Sequence, residues 1–261
     1  MKKLALLSMI LLFGSILYII SEKSDDSIIV ESNQLSTIIN YINSPDTLVI
    51  FDIDNTLAHP TQELGSDEWF CFLVDKKMSE GFDRLTAVYY ALPKIFYAQF
   101  NIPLKPTEDG ISELISQLAS NNIAIMALTA RSIFIAERTI EQLHNIDIAF
   151  FMSGISNDDL VLPMQHPSFY KEGVLFSGDN DKGETLQYFL NFMNYHPQKI
   201  IFIDDKMKCI ESVKKGAQKL NIPFVGIRYS YCDERVKQFD PAKAEKQWYE
   251  LLQQNRITSA I

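Results

Sequence analysis

The chain has 261 residues, with 24 Lys and Arg against 33 Asp and Glu and a formal net charge of −9. That balance argues against a binder of nucleic-acid polymers or of an anionic membrane surface, because both are recognised by basic surfaces. The length suits one α/β domain with a small insert, and a small molecule is the better default partner.

Lys2 and Lys3 precede a 17-residue apolar run, Leu4 to Ile20, and polar residues follow at once. This predicts a signal peptide or a signal anchor over 1–21, with the folded chain at 22–261. The run exceeds the ~7–15 residues of a cleaved signal and falls just short of the ~20 of a membrane span, so cleavage after Ser21 and retention both stay open. A buried N-terminal helix of a cytoplasmic chain is the third alternative. In the first two cases the lysines keep the N-terminus inside, so the domain is exported, periplasmic or anchored to the membrane.

Beyond the leader, short continuous apolar runs recur at 47–51, 123–128, 148–152, 199–203 and 223–227, as in strands buried on both faces. Helical stretches lie between them at 108–119, 132–143, 182–194 and 206–220. Alternating strands and helices predict an α/β fold, a three-layer Rossmann-like core with a parallel sheet, whose site lies beyond the carboxyl ends of the strands. Those ends carry Asp52 and Asp54, then Thr129-Ala130-Arg131, then Asp204-Asp205. A lone D-x-D pair is more often a turn or cap than a site, but carboxylates crowded on one edge need a cation. Hard oxygen ligands without a His or Cys cluster point to Mg²⁺, and Lys182 supplies a further positive charge for a bound anion.

Four segments, "FDIDNTL", "LTAR", "DKGETL" and "IIFIDD", together resemble the four motifs of the haloacid-dehalogenase-like (HAD) hydrolases. The resemblance covers the chain after the leader and looks closest to an exported, acid-phosphatase-like bacterial branch. It implies that Asp52 is the nucleophile that becomes an aspartyl-phosphate and that Asp54 is the general acid and base. It further implies that Thr129, with Ala130 and Arg131, binds substrate, and that Lys182 neutralises charge. Mg²⁺ would be held by Asp52, by the main-chain carbonyl of Asp54 and by Asp204, with Asp205 as a second ligand or a partner through water. A carboxylate two residues after the nucleophile favours phosphatases over dehalogenases within that family. Thr56 and Asn55 are expected to order the turn, and Arg131 to meet either substrate or acidic residues of the following helix.

A helical cap insert is expected at about 60–106, with Ser66 and Asp67 as caps and a kink at Pro93. Its Trp69, Phe70, Phe72, Tyr89, Tyr90, Phe96 and Tyr97 form either the cap's own core, the favoured reading, or a platform for an aromatic leaving group. His59 is read as facing the phosphate or as a surface loop residue, and His144, His166 and His196 show no ligand spacing. Residues 157–181 suggest a β-hairpin that delivers Lys182. From Asp240, a helix with Pro241 at its first position is expected to pack Trp248, Leu251 and Leu252 on the core. Cys71, Cys209 and Cys232 are expected as buried free thiols, with one bridge left open and its pairing not readable.

The resulting expectation is a Mg²⁺-dependent phosphatase acting on a small phosphorylated metabolite. The alternatives are a catalytically idle binding module of the same fold at the cell envelope, or a phosphotransferase using the same residues.

Overall fold

The computed structural model describes residues 27–150 and 154–258; the leader expected over 1–21 lies outside them. In chain order come β1 (Ile28–Ser32), a 3-10 turn (Leu35–Tyr41), β2 (Thr47–Phe51), β3 (Ala58–Pro60), α1 (Asp67–Ser79), α2 (Arg84–Asn101) and β4 (Leu104–Pro106). Next are α3 (Ile111–Ser120), β5 (Ala124–Thr129), a second 3-10 turn (Ile133–Ile135), α4 (Ala136–His144), β6 (Leu160–Leu162), β7 (Ser168–Lys171) and β8 (Val174–Phe176). The chain closes with α5 (Lys182–Phe192), β9 (Lys199–Asp204), α6 (Met207–Lys219), β10 (Phe224–Tyr229), α7 (Asp233–Lys237) and α8 (Pro241–Thr258).

The main sheet runs β1-β10-β9-β2-β5-β8-β7-β6, parallel from β1 to β8 and antiparallel in the last two strands. Alternate residues of each central strand feed two separate cores, which explains the continuous apolar runs. Val49, Phe51, Ile125 and Ile201 pack against α3 and α4, whereas Leu48, Ile50, Met126 and Ile200 pack against α5 and α6. The layers are therefore helix, sheet and helix. The chain leaves β2 toward β5 on one side and returns to β9 on the other, so the strand order switches at β2. A crevice opens at such a switch point, beyond the carboxyl ends of the strands.

Two strands differ from the sequence reading. The run at 148–152 forms no strand among its described residues, although Ile148 and Phe150 are buried; the place beside β5 is taken by β8, the end of a three-stranded meander. The meander replaces the simple hairpin expected before Lys182: β8 pairs the β5 edge, and β7 and β6 extend the sheet beyond it. The edge strand β1 has no counterpart among the apolar runs expected as strands.

Between β3 and β4, an antiparallel pair with Ala58 opposite Pro106, the helices α1 and α2 form a cap. Ser66 caps α1 by accepting from the Trp69 amide at 3.1 Å, and Asp83 does the same for α2 through Thr86 at 3.0 Å. Helix α2 continues through Pro93 as one element. Ala87, Ala91, Ala98, Trp69 and Leu73 make the cap's own core. The C-terminal helix α8 is capped by Asp240, whose side chain accepts from the Ala242 amide at 2.9 Å. It packs on the cap rather than on the sheet: Trp248 lies 5.5 Å from Trp69 and meets Tyr97 edge-on at 5.8 Å, with Leu251 beside them. The sheet's faces are already covered by α3 to α6, so the remaining apolar surface is the cap's.

Candidate active site

Strand β2 ends in a tight turn in which Asn55 adopts a left-handed backbone, φ 62°, a conformation that asparagine tolerates better than most residues. The turn lifts Asp52 and Asp54 over the sheet edge. Lys182 opens α5, capped by Asp181, which accepts from the Glu184 amide at 3.0 Å. The next residue, Gly183, lets α5 lie against α6, since a Cβ there would sit 2.0 Å from the Ser212 carbonyl oxygen. That close approach carries Lys182 Nζ to 2.5 Å from Asp52 Oδ1 and 2.7 Å from Asp204 Oδ2. All three side chains are buried.

Asp52, Asp204 and Asp205 each offer a carboxylate oxygen, and the three atoms lie within 4.8 Å of one another. One lysine cannot balance three clustered carboxylates. Burial, outweighing the Lys182 charge and helped by Asp204 and Asp54, pushes the Asp52 carboxyl up to about 7. Burial together with Asp52 and Asp204 pushes Asp205 up to about 8. The donor set is three hard oxygens without nitrogen or sulfur, which fits Mg²⁺. Thr56 braces the cluster by donating to Asp52 Oδ2 at 3.4 Å and accepting from the Asp205 amide at 3.1 Å.

Asp54 is held separately. The Arg131 guanidinium grips it with two bonds, 2.9 Å from Nε and 2.8 Å from Nη2. Burial opposes ionisation of Asp54, but this fork outweighs it and keeps the carboxyl below its usual range. Arg131 is itself buried and donates through Nη1 to Thr139 at 3.4 Å and Gln142 at 3.1 Å. Its partner is thus Asp54 and not the acidic residues of the following helix. Gln142 in turn donates to the carbonyls of Gln99 and Ile102 at the end of α2, both at 2.7 Å.

One cavity of about 240 Å³ is lined by Asp52, Asp54, Ala130, Arg131, Lys182, Asp204 and Asp205. Thr129 is fully buried beneath it, does not line it, and its hydroxyl accepts from the Arg131 amide at 3.1 Å. His59 is neither of the two alternatives expected: it is buried in β3, with Nδ1 at 2.9 Å from the Pro60 carbonyl. Cys71 is exposed, Cys209 half-buried and Cys232 buried, all three as free thiols. Phe70 and Phe96 line the cavity, while Trp69 belongs to the cap core and Tyr89 and Tyr90 are exposed.

Several residues escaped the sequence reading. Lys206 lines the cavity and bridges to Asp67 of the cap at 2.7 Å. Glu68 and Arg235 both hold Asn55, Glu68 Oε1 accepting from its amide at 2.8 Å. Thr139 and Gln142, polar and buried three residues apart on one helix, carried a readable signal, because buried polar groups need partners. Arg235 carried none, being one of many surface-type charges in a short helix.

Residues 31–258 match the family described as "Protein of unknown function (DUF2608)". The chain belongs to that family. Among its relatives, a protein of Chlamydia trachomatis named "Putative outer membrane protein" is 27% identical over 215 residues, spanning 81% of this chain and 80% of that one. One of the same name from Chlamydia muridarum is 28% identical over 213 residues, 81% of this chain and 79% of its own. Solved structures with a loose similarity include a haloacid dehalogenase-like family hydrolase from Streptococcus pneumoniae, 12% identical, covering 69% of this chain and 93% of that one at a TM-score of 0.41. A HAD family hydrolase from Deinococcus radiodurans R1 with bound phosphate and sodium is 10% identical over 73% of this chain and 93% of its own, TM-score 0.40. Among the described residues, no helix is long and apolar enough to cross a membrane.

Proposed function

We propose that this chain is a Mg²⁺-dependent phosphatase that hydrolyses small phosphomonoesters through an aspartyl-phosphate on Asp52. The observation that carries the reading is the buried contact of Lys182 with both Asp52 and Asp204, in a cavity that also holds Asp54 and Arg131. A stability-driven design would avoid such clustering of buried charge, so its presence points to a site.

Asp52, Asp204 and Asp205 would hold the ion, with the Asp54 main-chain carbonyl beside them. The bound ion supplies positive charge to the phosphoryl oxygens and orients them. An oxygen of Asp52 attacks phosphorus while the bond to the leaving alcohol breaks, and Asp54 donates a proton to the departing oxygen. Water then attacks the phosphorus of the aspartyl-phosphate, Asp54 takes up its proton, and the Asp52 carboxylate leaves with phosphate released. Lys182 balances the charge of Asp52 and of the phosphoryl group. The transition state spreads negative charge over its oxygens, so positioned cations do most of the catalysis. Arg131 fits a phosphate as well as it fits a carboxylate. An arriving dianion competes for its fork and frees Asp54 to accept the proton it must deliver.

The leader-like residues 1–21 and the names of the chlamydial relatives support placement at the cell envelope, as an exported acid-phosphatase-like protein. The test is phosphate release from a panel of phosphomonoesters by the wild-type chain and by Asp52→Asn, with Mg²⁺ or with chelator. Release that needs both Asp52 and Mg²⁺ is expected. A folded, metal-binding chain that releases phosphate from no ester would refute the reading in favour of a binding module.

A further inference from the structure

Helix α2 carries two neighbouring apolar stripes. One, at Ala87, Ala91 and Ala98, faces α1 and closes the cap's core. The other, Val88, Leu92 and Phe96 at a spacing of four, is only half-buried and lines the catalytic cavity together with Phe70 and Ile95. Val88, Leu92, Phe96 and Phe70 flank the cap's core on one side and stay open to the cavity on the other. The second stripe forms an apolar roof over a charged floor.

The floor limits what else the substrate carries. Three cationic residues line the cavity against six aspartates, and each of the three is already paired: Arg131 with Asp54, Lys182 with Asp52 and Asp204, Lys206 with Asp67. The phosphoryl group engages the first two, so a second phosphate or a carboxylate on the substrate finds only Lys206, already neutralised by Asp67, among the remaining aspartates. The volume, about 240 Å³, is below the ~300–1,000 Å³ typical of pockets for drug-sized ligands.

Resting on the phosphatase reading, we propose that the site takes monoesters of small, uncharged, apolar alcohols, short alkyl or single-ring aryl, and discriminates against substrates with a second anionic group. Val88, Leu92, Phe96 and Phe70 are the residues that read the organic part.

Phosphonates test this without turnover. Calorimetry of the full-length chain with Mg²⁺ compares methylphosphonate, butylphosphonate, phenylphosphonate and 3-phosphonopropionate. At about fourfold per buried methylene, butylphosphonate and phenylphosphonate should bind at least about tenfold more tightly than methylphosphonate. The carboxylate-bearing ligand should lose that gain. Leu92→Asn and Phe96→Ser should each remove most of the preference, read as the ratio of butylphosphonate to methylphosphonate affinity. Equal binding of the alkyl and methyl ligands by the wild-type chain overturns the inference. If methyl phosphate is nevertheless hydrolysed in an Asp52-dependent way, the phosphatase reading stands and only the substrate class falls. If no phosphonate binds and no ester turns over, both fall.

Discussion

Replacing Lys182 with Met removes the ammonium and keeps roughly the length of the side chain. At 2.5 and 2.7 Å from two carboxylate oxygens, with an effective dielectric near 20, each contact amounts to about 6 kcal/mol of Coulomb attraction before desolvation. Desolvation of all three buried groups offsets most of that. What remains after one partner is removed is the cost of uncompensated buried charge, about 3–5 kcal/mol. The loss should depend on pH. Asp52, whose carboxyl is raised to about 7, already carries a proton at pH 5 but is largely ionised at pH 8, so removing Lys182 leaves less uncompensated charge at pH 5. Urea titrations of wild type and Lys182→Met, without divalent ions, should therefore show the full loss at pH 8 and about half of it at pH 5. An unchanged midpoint at pH 8, with the denaturant slope also unchanged, would refute the claim that Lys182 holds this cluster together.

The same cluster predicts a metal effect. Because the carboxyls of Asp52 and Asp205 are raised to about 7 and about 8, their contribution is fully present below the unfolded value near 4 and is lost as pH rises through 7 to 8. Mg²⁺ should therefore raise the melting temperature more at pH 8 than at pH 5, and equal shifts would count against the site. Gly183→Ala should cost about 2–3 kcal/mol in chemical denaturation, because its Cβ meets the Ser212 backbone, and should lower phosphate release through the displaced Lys182. Trp248→Ala should cost about 2–4 kcal/mol and loosen α1 and α2, seen as lost near-ultraviolet dichroism. Arg131→Lys keeps the charge but loses the two-pronged grip and the bonds to Thr139 and Gln142; kcat for ester hydrolysis should fall about 10–100-fold, and the melting temperature should fall as well because buried partners lose their donor.

The central fold was legible because strands buried on both faces leave an unmistakable mark: 47–51 and 199–203 appear as apolar runs, and α5 and α6 begin within a residue of where the pattern places them. The short strands β6 to β8 were not, because three- and four-residue segments offer too little periodicity to separate a meander from a hairpin. The strand expected at 148–152, absent over the described residues 148–150, shows the limit from the other side. Ile148 and Phe150 are apolar because they are buried, and burial alone does not require sheet pairing. Within the site, Asp52, Asp54 and Asp204 could be picked out because carboxylates recur at strand ends, and Lys182 because it opens the helix leading into β9. The partner of Arg131 could not, since it depends on which of several nearby carboxylates the turn at Asn55 raises to meet it. The docking of α8 on the cap was equally hidden: its apolar face is visible in sequence, but which surface remains uncovered is known only once α3 to α6 have taken the sheet.

The hydrogen bonds of Gln142 tie the chemistry to the cap. The carbonyls at the end of a helix have no partner within it, and Gln142 satisfies those of Gln99 and Ile102 while its own oxygen accepts from Arg131. A movement of α2 away from the core breaks both bonds to Gln142 and frees that side chain to turn, which loosens one of the anchors that aim Arg131 at Asp54. Lys206 and Asp67 form a second tie between core and cap at the other side of the cavity, but that pair is half-exposed and worth at most about 1 kcal/mol. The cap is therefore tied to the core around the cavity by the buried Gln142 bonds, by Glu68 on Asn55 and Arg235, and more weakly by Lys206 on Asp67, and the first of these ends on the guanidinium that grips Asp54.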